Sequence, residues 1–215
     1  MKTADINAPT VVWQLMNNGY NTGQFYTCAI EPGNATNNII IGGLQDNGTY
    51  FTNTTDYTKD WPKTFYGDGA YCAITHGRSN YYLSIQEGKI YKHQVDDNGV
   101  VNQNYTRIDP TGGTGYLFIN PFIMDPFNDD VMYVAGGRSI WREDSLSAIP
   151  MTGDEYNTTL QGWTRLAGTS LGTSFLAPHY STLDISEANP NILYLGTDDG
   201  HVYRLDSCRT NNAEL

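Results

Sequence analysis

Charge is scarce and one-sided in this chain, and long apolar runs are missing. Of the 215 residues only 16% are charged, and 12 Lys and Arg stand against 23 Asp and Glu, a net charge of −11. A groove that follows a phosphate backbone needs clustered cations, so nucleic acid and anionic membrane surfaces are poor partners for this field. Solubility alone also accounts for such an acidic balance. No stretch approaches the roughly 18 apolar residues that a spanning helix requires, so membrane insertion is not expected. Met1 to Thr10 lacks the apolar core of a secretory signal, and an export signal is therefore not expected within this chain. Three cysteines, Cys28, Cys72 and Cys208, make no disulfide framework. Without a Cys-x-x-Cys pair or a Cys/His cluster, no zinc site is expected. Runs of Ala, Leu, Glu and Lys that favour helices are also lacking.

What the chain has in quantity is Gly (22) and Tyr (16), with much Asn and Thr. That mixture suits many short strands joined by polar turns. One unit recurs four times. It opens on an aromatic strand: Val12 to Leu15, Asp60 to Lys63, Tyr105 to Ile108 and Trp163 to Leu166. A Gly-rich loop follows, then a small apolar strand (Cys28 to Ile30, Cys72 to Ile74, Phe122 to Met124, Leu183 to Ile185). After a turn comes the most hydrophobic strand (Ile39 to Ile41, Tyr81 to Leu83, Val131 to Val134, Ile192 to Leu195). A tight polar turn and a fourth strand (Thr49 to Phe51, Lys89 to Tyr91, Ser139 to Trp141, His201 to Tyr203) close it.

Four strands in about 40 to 60 residues is the size of one β-propeller blade. A four-stranded sheet cannot bury both faces alone, and stacking blades buries them against their neighbours. The expected fold is therefore all-β, a single β-propeller domain or segment over residues 1–215. Its repeats run at approximately 11–60, 61–104, 105–162 and 163–206. Each opening strand is expected to complete the outer edge of the preceding blade. Trp13 would then complete the blade formed by the last three strands, giving a closed four-bladed ring. The alternatives are a segment of a larger seven- or eight-bladed propeller, with missing blades elsewhere, or a second copy completing one ring.

Residues Ala188 to Arg204 (ANPNILYLGTDDGHVYR) and Asp125 to Gly137 resemble the repeats of the sortilin-like and BNR (Asp-box) propellers. The stretch from Gly42 to Gly48 is similar to the first-blade turn of secreted bacterial members. Asp46-Asn47-Gly48 keeps the Asp-x-Gly core of an Asp box but lacks its Ser and Trp. The resemblance covers roughly Val11 to Asp206 and implies the fold. For function it implies several classes, among them sialidases, xyloglucan-cleaving hydrolases and sortilin receptors.

A sialidase needs a cluster of Arg to hold a carboxylate and a Tyr nucleophile with its Glu partner. This chain has only seven arginines, of which Arg107 and Arg165 hold equivalent outer-strand positions and read as edge residues. A glycoside hydrolase needs two carboxylates flanking a groove. Asp46, Asp68, Glu87, Asp198 and Asp199 are expected on one loop face, and Asp46, Asp68, Asp184 and Asp198 are the catalytic candidates. Asp184 stands on an inner strand where other repeats have Ala29, Ala73 and Ile123. Tyr20, Tyr66, Tyr71, Tyr116, His179 and Tyr180 are the ligand-binding candidates on the same face, since aromatic platforms suit sugars. No cofactor is expected. Calcium at Asp125-Asp129-Asp130 or Asp96-Asp97-Asn98 would have oxygen donors without EF-hand spacing. Five sequons, at Asn34, Asn47, Asn53, Asn104 and Asn157, fit an extracellular surface.

These readings converge on a secreted or cell-surface propeller module that binds glycan or protein through its loop face, without catalysis. The alternatives are part of a xyloglucan-type hydrolase, and a sortilin-type receptor or assembly scaffold.

Overall fold

The repeats predict strand after strand, and the computed structural model, which describes residues 1–16, 23–34, 38–159, 161–211, 213 and 215, shows them. The first sheet holds β1 (Phe25–Ile30), β2 (Ile40–Leu44), β3 (Gly48–Thr52) and β4 (Lys63–Phe65). The second holds β5 (Cys72–Ile74), β6 (Tyr81–Ile85), β7 (Lys89–His93) and β8 (Thr106–Arg107). The third holds β9 (Phe122–Asp125), β10 (Asn128–Ala135), β11 (Ile140–Glu143) and β12 (Trp163–Arg165). The fourth holds β13 (Tyr180–Ile185), β14 (Ile192–Thr197) and β15 (Val202–Asp206). All pairings within these sheets are antiparallel. Among the described residues, the other regular structure is two short 3-10 turns, His76–Arg78 and Leu146–Ala148. The fold is all-β, four antiparallel sheets set around a common axis as the blades of a four-bladed β-propeller.

Alternation along each strand divides its side chains between two neighbours. In β6, Tyr81, Leu83 and Ile85 join Ile39, Ile41, Phe51 and Phe65 of the first blade in one buried cluster. Tyr82, from the opposite face of the same strand, enters a second cluster with Phe122, Met132, Val134 and Trp163. The third cluster joins Tyr133 and Ile140 to Leu183, Leu193, Leu195 and Leu205, across blades three and four. Burial of both faces in β6 matches the hydrophobicity of the second strand of that blade. Backbone meets backbone where blades one and two touch. A Cβ on Gly43 would overlap Gly69 and Ala70, and one on Gly69 would overlap Gly48.

The opening strand of each later repeat completes the blade before it, as β4, β8 and β12 show. The first repeat departs from this rule. Gln14 pairs with Lys2 instead, through two backbone hydrogen bonds of 2.9 and 2.7 Å, and Trp13 is exposed. The fourth sheet consequently has three described strands, and β15 forms its edge. Val202 on β15 is 77% exposed, and Ile30 on the bare side of the first sheet is 67% exposed. Among the described residues no buried cluster joins the fourth sheet to the first.

Candidate functional site

The face that carries the loops before the inner strands and the turns after the second strands is stitched together by backbone. Gly69 N–H donates to Leu44 O (3.1 Å), Glu87 N–H to Phe118 O (3.0 Å) and Tyr180 N–H to Gly137 O (3.2 Å). Each turn of blades one to three is thus gripped by the loop that leads into the following blade. The turn of blade four pairs instead with the loop of its own blade, Asp198 N–H donating to His179 O at 3.0 Å.

The expected acids serve these turns. Asp46 takes a positive φ of 59°, and its N–H donates to Asp68 Oδ1. Asp68 N–H donates in turn to Gln86 Oε1 at 3.0 Å. Asp198 accepts the His179 N–H (2.9 Å) and faces its Nδ1 (3.1 Å). The backbone bond, with the imidazole contact behind it, holds the Asp198 carboxyl below the usual carboxylate range. Asp184 is exposed on β13, opposite Tyr194 and on the side away from blade three. The structure therefore brings Asp46 and Asp68 together at the first blade junction, and leaves Asp184 and Asp198 on the fourth blade.

The aromatic candidates divide in the same way. Tyr66 is exposed and donates to Glu155 Oε2 at 3.3 Å, and burial raises its pKa. Tyr71 is half-buried, its ring 6.1 Å from that of Phe122. Tyr116 packs over Gly88 with its hydroxyl buried. Tyr180 corrects the expectation: it is fully buried and gives its hydroxyl to Thr169 O (2.8 Å), because the first residue of β13 points into the blade three–four core. Tyr20 lies outside the described residues.

The acids weighed for calcium are engaged elsewhere. Asp125, itself buried, accepts from Arg209 (2.7 Å to Nε), Asp129 faces His76 Nδ1 (2.9 Å), and Asp130 accepts the Ser147 N–H (2.7 Å). Asp96 caps its own turn, at Asn98 and Val100, and Asp97 holds Arg78. Among the described residues no three acidic, His or Cys side chains converge as a metal site would need.

A cleft of about 290 Å³ opens on this face over blade three, between the loop that enters that blade (Gly112, Thr114, Gly115) and the loop that leaves it. It is lined by Trp141 of β11, Arg165 of β12, Arg138 and Ser139 of the blade-three turn, and Ser170 and Thr173 of the loop entering blade four. Two glycines shape it. Gly137 takes a φ of 66°, which lets the chain turn before Arg138. Gly136 makes room for the indole, since a Cβ there would overlap Trp141 Cδ1 and Nε1. The far edge of the same ring, Cη2, reaches within 3.7 Å of where a Gly112 Cβ would stand. The indole therefore spans two glycine backbones as a fixed, half-exposed platform. Arg138 donates through Nε to Ala177 O (3.1 Å) and through Nη2 to Phe175 O (3.0 Å), tying the blade-four loop to the blade-three turn. Sequence reasoning passed over Trp141 and Arg138 and read Arg165 as an edge residue. The signal that marks the cleft is the Gly136-Gly137-Arg138 turn three residues ahead of Trp141.

Comparison with known proteins adds no relative, since no family model and no curated protein matches the chain.

Proposed function

We propose that this propeller is a binding module that takes a saccharide in the cleft over blade three, and does so without catalysis. The observation that carries this reading is the Trp141 platform held over two glycines and ringed by hydroxyl and guanidinium groups. An apolar ring face for sugar C–H groups, with donors around its rim, is the chemistry of saccharide recognition. The cleft volume stands at the lower end of the usual range of about 300–1,000 Å³, which suits one or two sugar rings. Its lining contains no carboxylate, whereas hydrolysis of a glycoside requires two of them. The resemblance to sortilin-like and BNR propellers and the exposure of all five sequon asparagines support a secreted or cell-surface setting.

The test is binding of neutral and acidic oligosaccharides by titration calorimetry, with wild type and two variants. Trp141→Ala removes the platform and Gly136→Ala pushes the indole off its seat. Each is expected to weaken binding at least tenfold, a loss of about 1.4 kcal/mol. Binding that survives in both variants would place the sugar elsewhere, and no binding by wild type to either class would remove the reading.

A further inference from the structure

We propose that the ligand of this cleft is an acidic saccharide, its carboxylate held by Arg165 and Arg138; this rests on the saccharide reading above. The chain carries seven arginines, and five are matched to carboxylates. Arg78 meets Asp97 (2.6 Å), Arg107 meets Asp109 (2.7 and 2.9 Å) and Arg142 meets Asp144 (2.7 and 2.8 Å). Arg204 meets Asp206 (3.0 and 2.8 Å) and Arg209 meets Asp125 (2.7 Å). Among the described residues Arg138 and Arg165 have no carboxylate partner, and both line the same cleft. In a chain with 23 acids and 12 bases, chance pairing would leave acids over rather than two guanidiniums in one cleft.

The primary structure shows how the vacancy arises. Three of the matched arginines are followed two residues later by Asp: Arg107-Ile108-Asp109, Arg142-Glu143-Asp144 and Arg204-Leu205-Asp206. Residues two apart on a strand share a face, so the pairing is local. Arg165-Leu166-Ala167 is the repeat equivalent of the first of these, with Ala where Asp would neutralise the guanidinium. Arg138-Ser139-Ile140 lacks the Asp too.

Both forks are pre-set. Arg165 Nη2 donates one of its two hydrogens to Ser139 Oγ at 2.7 Å, and among the described residues its Nε, its Nη1 and the second Nη2 hydrogen bond to no protein acceptor. The Arg138 bonds to two loop carbonyls fix its plane, and among the described residues Nη1 bonds to no protein acceptor. A planar fork of donors fits a carboxylate bidentately. The chain as a whole repels anions, but that long-range field is screened within a Debye length of about 8 Å, and contact in the cleft is not.

The experiment titrates oligomers of galacturonate, glucuronate and mannuronate, each beside its methyl ester, which keeps the ring and removes the charge. At least one acid is expected to bind tenfold or more tightly than its ester. Arg165→Gln is expected to erase that preference with an unchanged melting temperature, since Arg165 is exposed. Equal binding of acid and ester, a preference that persists in the variant, or no binding of any acid would overturn the inference. Neutral oligosaccharides bound in a Trp141-dependent way would in that event leave the saccharide reading standing.

Discussion

Between pH 7 and pH 4 this protein is expected to lose about 3 kcal/mol of stability through one side chain, His93. The imidazole is fully buried at the end of β7, among the rings of Phe65 (4.4 Å between centroids), Tyr105 (4.8 Å) and Tyr91 (6.2 Å). Neither ring nitrogen has a hydrogen-bond partner among the described residues. Burial disfavours the charged form and pushes the folded-state pKa down to about 3. The unfolded chain holds its proton below about pH 6.5, so each unit of pH between 6.5 and 3 lowers stability by about 1.4 kcal/mol. The contribution is fully present above 6.5 and is lost as pH falls toward 3. Beside the ring, Glu155 accepts the Tyr66 and Tyr105 hydroxyls, and the Tyr105 bond above all holds its carboxyl below the usual carboxylate range. The decisive quantity is therefore the difference between wild type and His93→Phe in urea unfolding at the two pH values. The variant is expected to be flatter by about 3 kcal/mol, and parallel curves would show that the imidazole reaches water or a partner.

Lys92→Met is expected to cost about 3 kcal/mol and to lower the melting temperature by about 10 °C in a chain of this size. Lys92 precedes His93 on β7 but faces the opposite way, into the junction of blades two and three. Its side chain is 4% exposed, and its ammonium donates to the carbonyls of Leu146 (2.7 Å), Ile149 (2.8 Å) and Ser147 (3.4 Å). Those groups belong to the short 3-10 turn after β11, whose carbonyls have few other donors nearby. Burial pulls the ammonium pKa below its ordinary value, with Asp130 opposing in part. Methionine fills the stem volume and leaves buried carbonyls without their charged donor. Calorimetric melting of the two proteins measures the loss, and a drop below about 1 kcal/mol would mean that water replaces the ammonium.

The repeat carried the fold because hydrophobic strands and Asx-Gly turns are local features. The inner and second strands stand where Cys72 to Ile74 or Tyr81 to Leu83 placed them, and the outer strands at Thr106–Arg107 and Trp163–Arg165 join the preceding blade as the order of elements required. Val12 to Leu15 matched the same pattern and behaves otherwise. An aromatic strand signature says nothing about which edge is within reach, and Gln14 finds Lys2 first. The site was less legible. Asp46, Asp68 and Asp198 were placed in turns correctly, and they work there as turn residues. Trp141, Arg138 and Arg165 come from a strand, a turn and another strand, and only the antiparallel pairing of β11 with β12 brings Trp141 and Arg165 together. What the sequence does hold is a missing partner, Ala167 in the place of Asp109, and such an absence is visible only when repeats are aligned on one another.

The glycine contact between blades one and two, the Tyr82 cluster and the Leu195 cluster form three seams around the axis, and among the described residues no buried cluster forms a fourth. Cohesion in such a stack is a sum over nearest neighbours. Amide protons on β15 and β1 will therefore exchange with solvent long before those on β6 and β10, and heating will loosen the ring first where the fourth sheet meets the first. A ligand seated over Trp141 and Arg165 would cover blade three instead, so its occupancy can be followed as slowed exchange on β11 and β12.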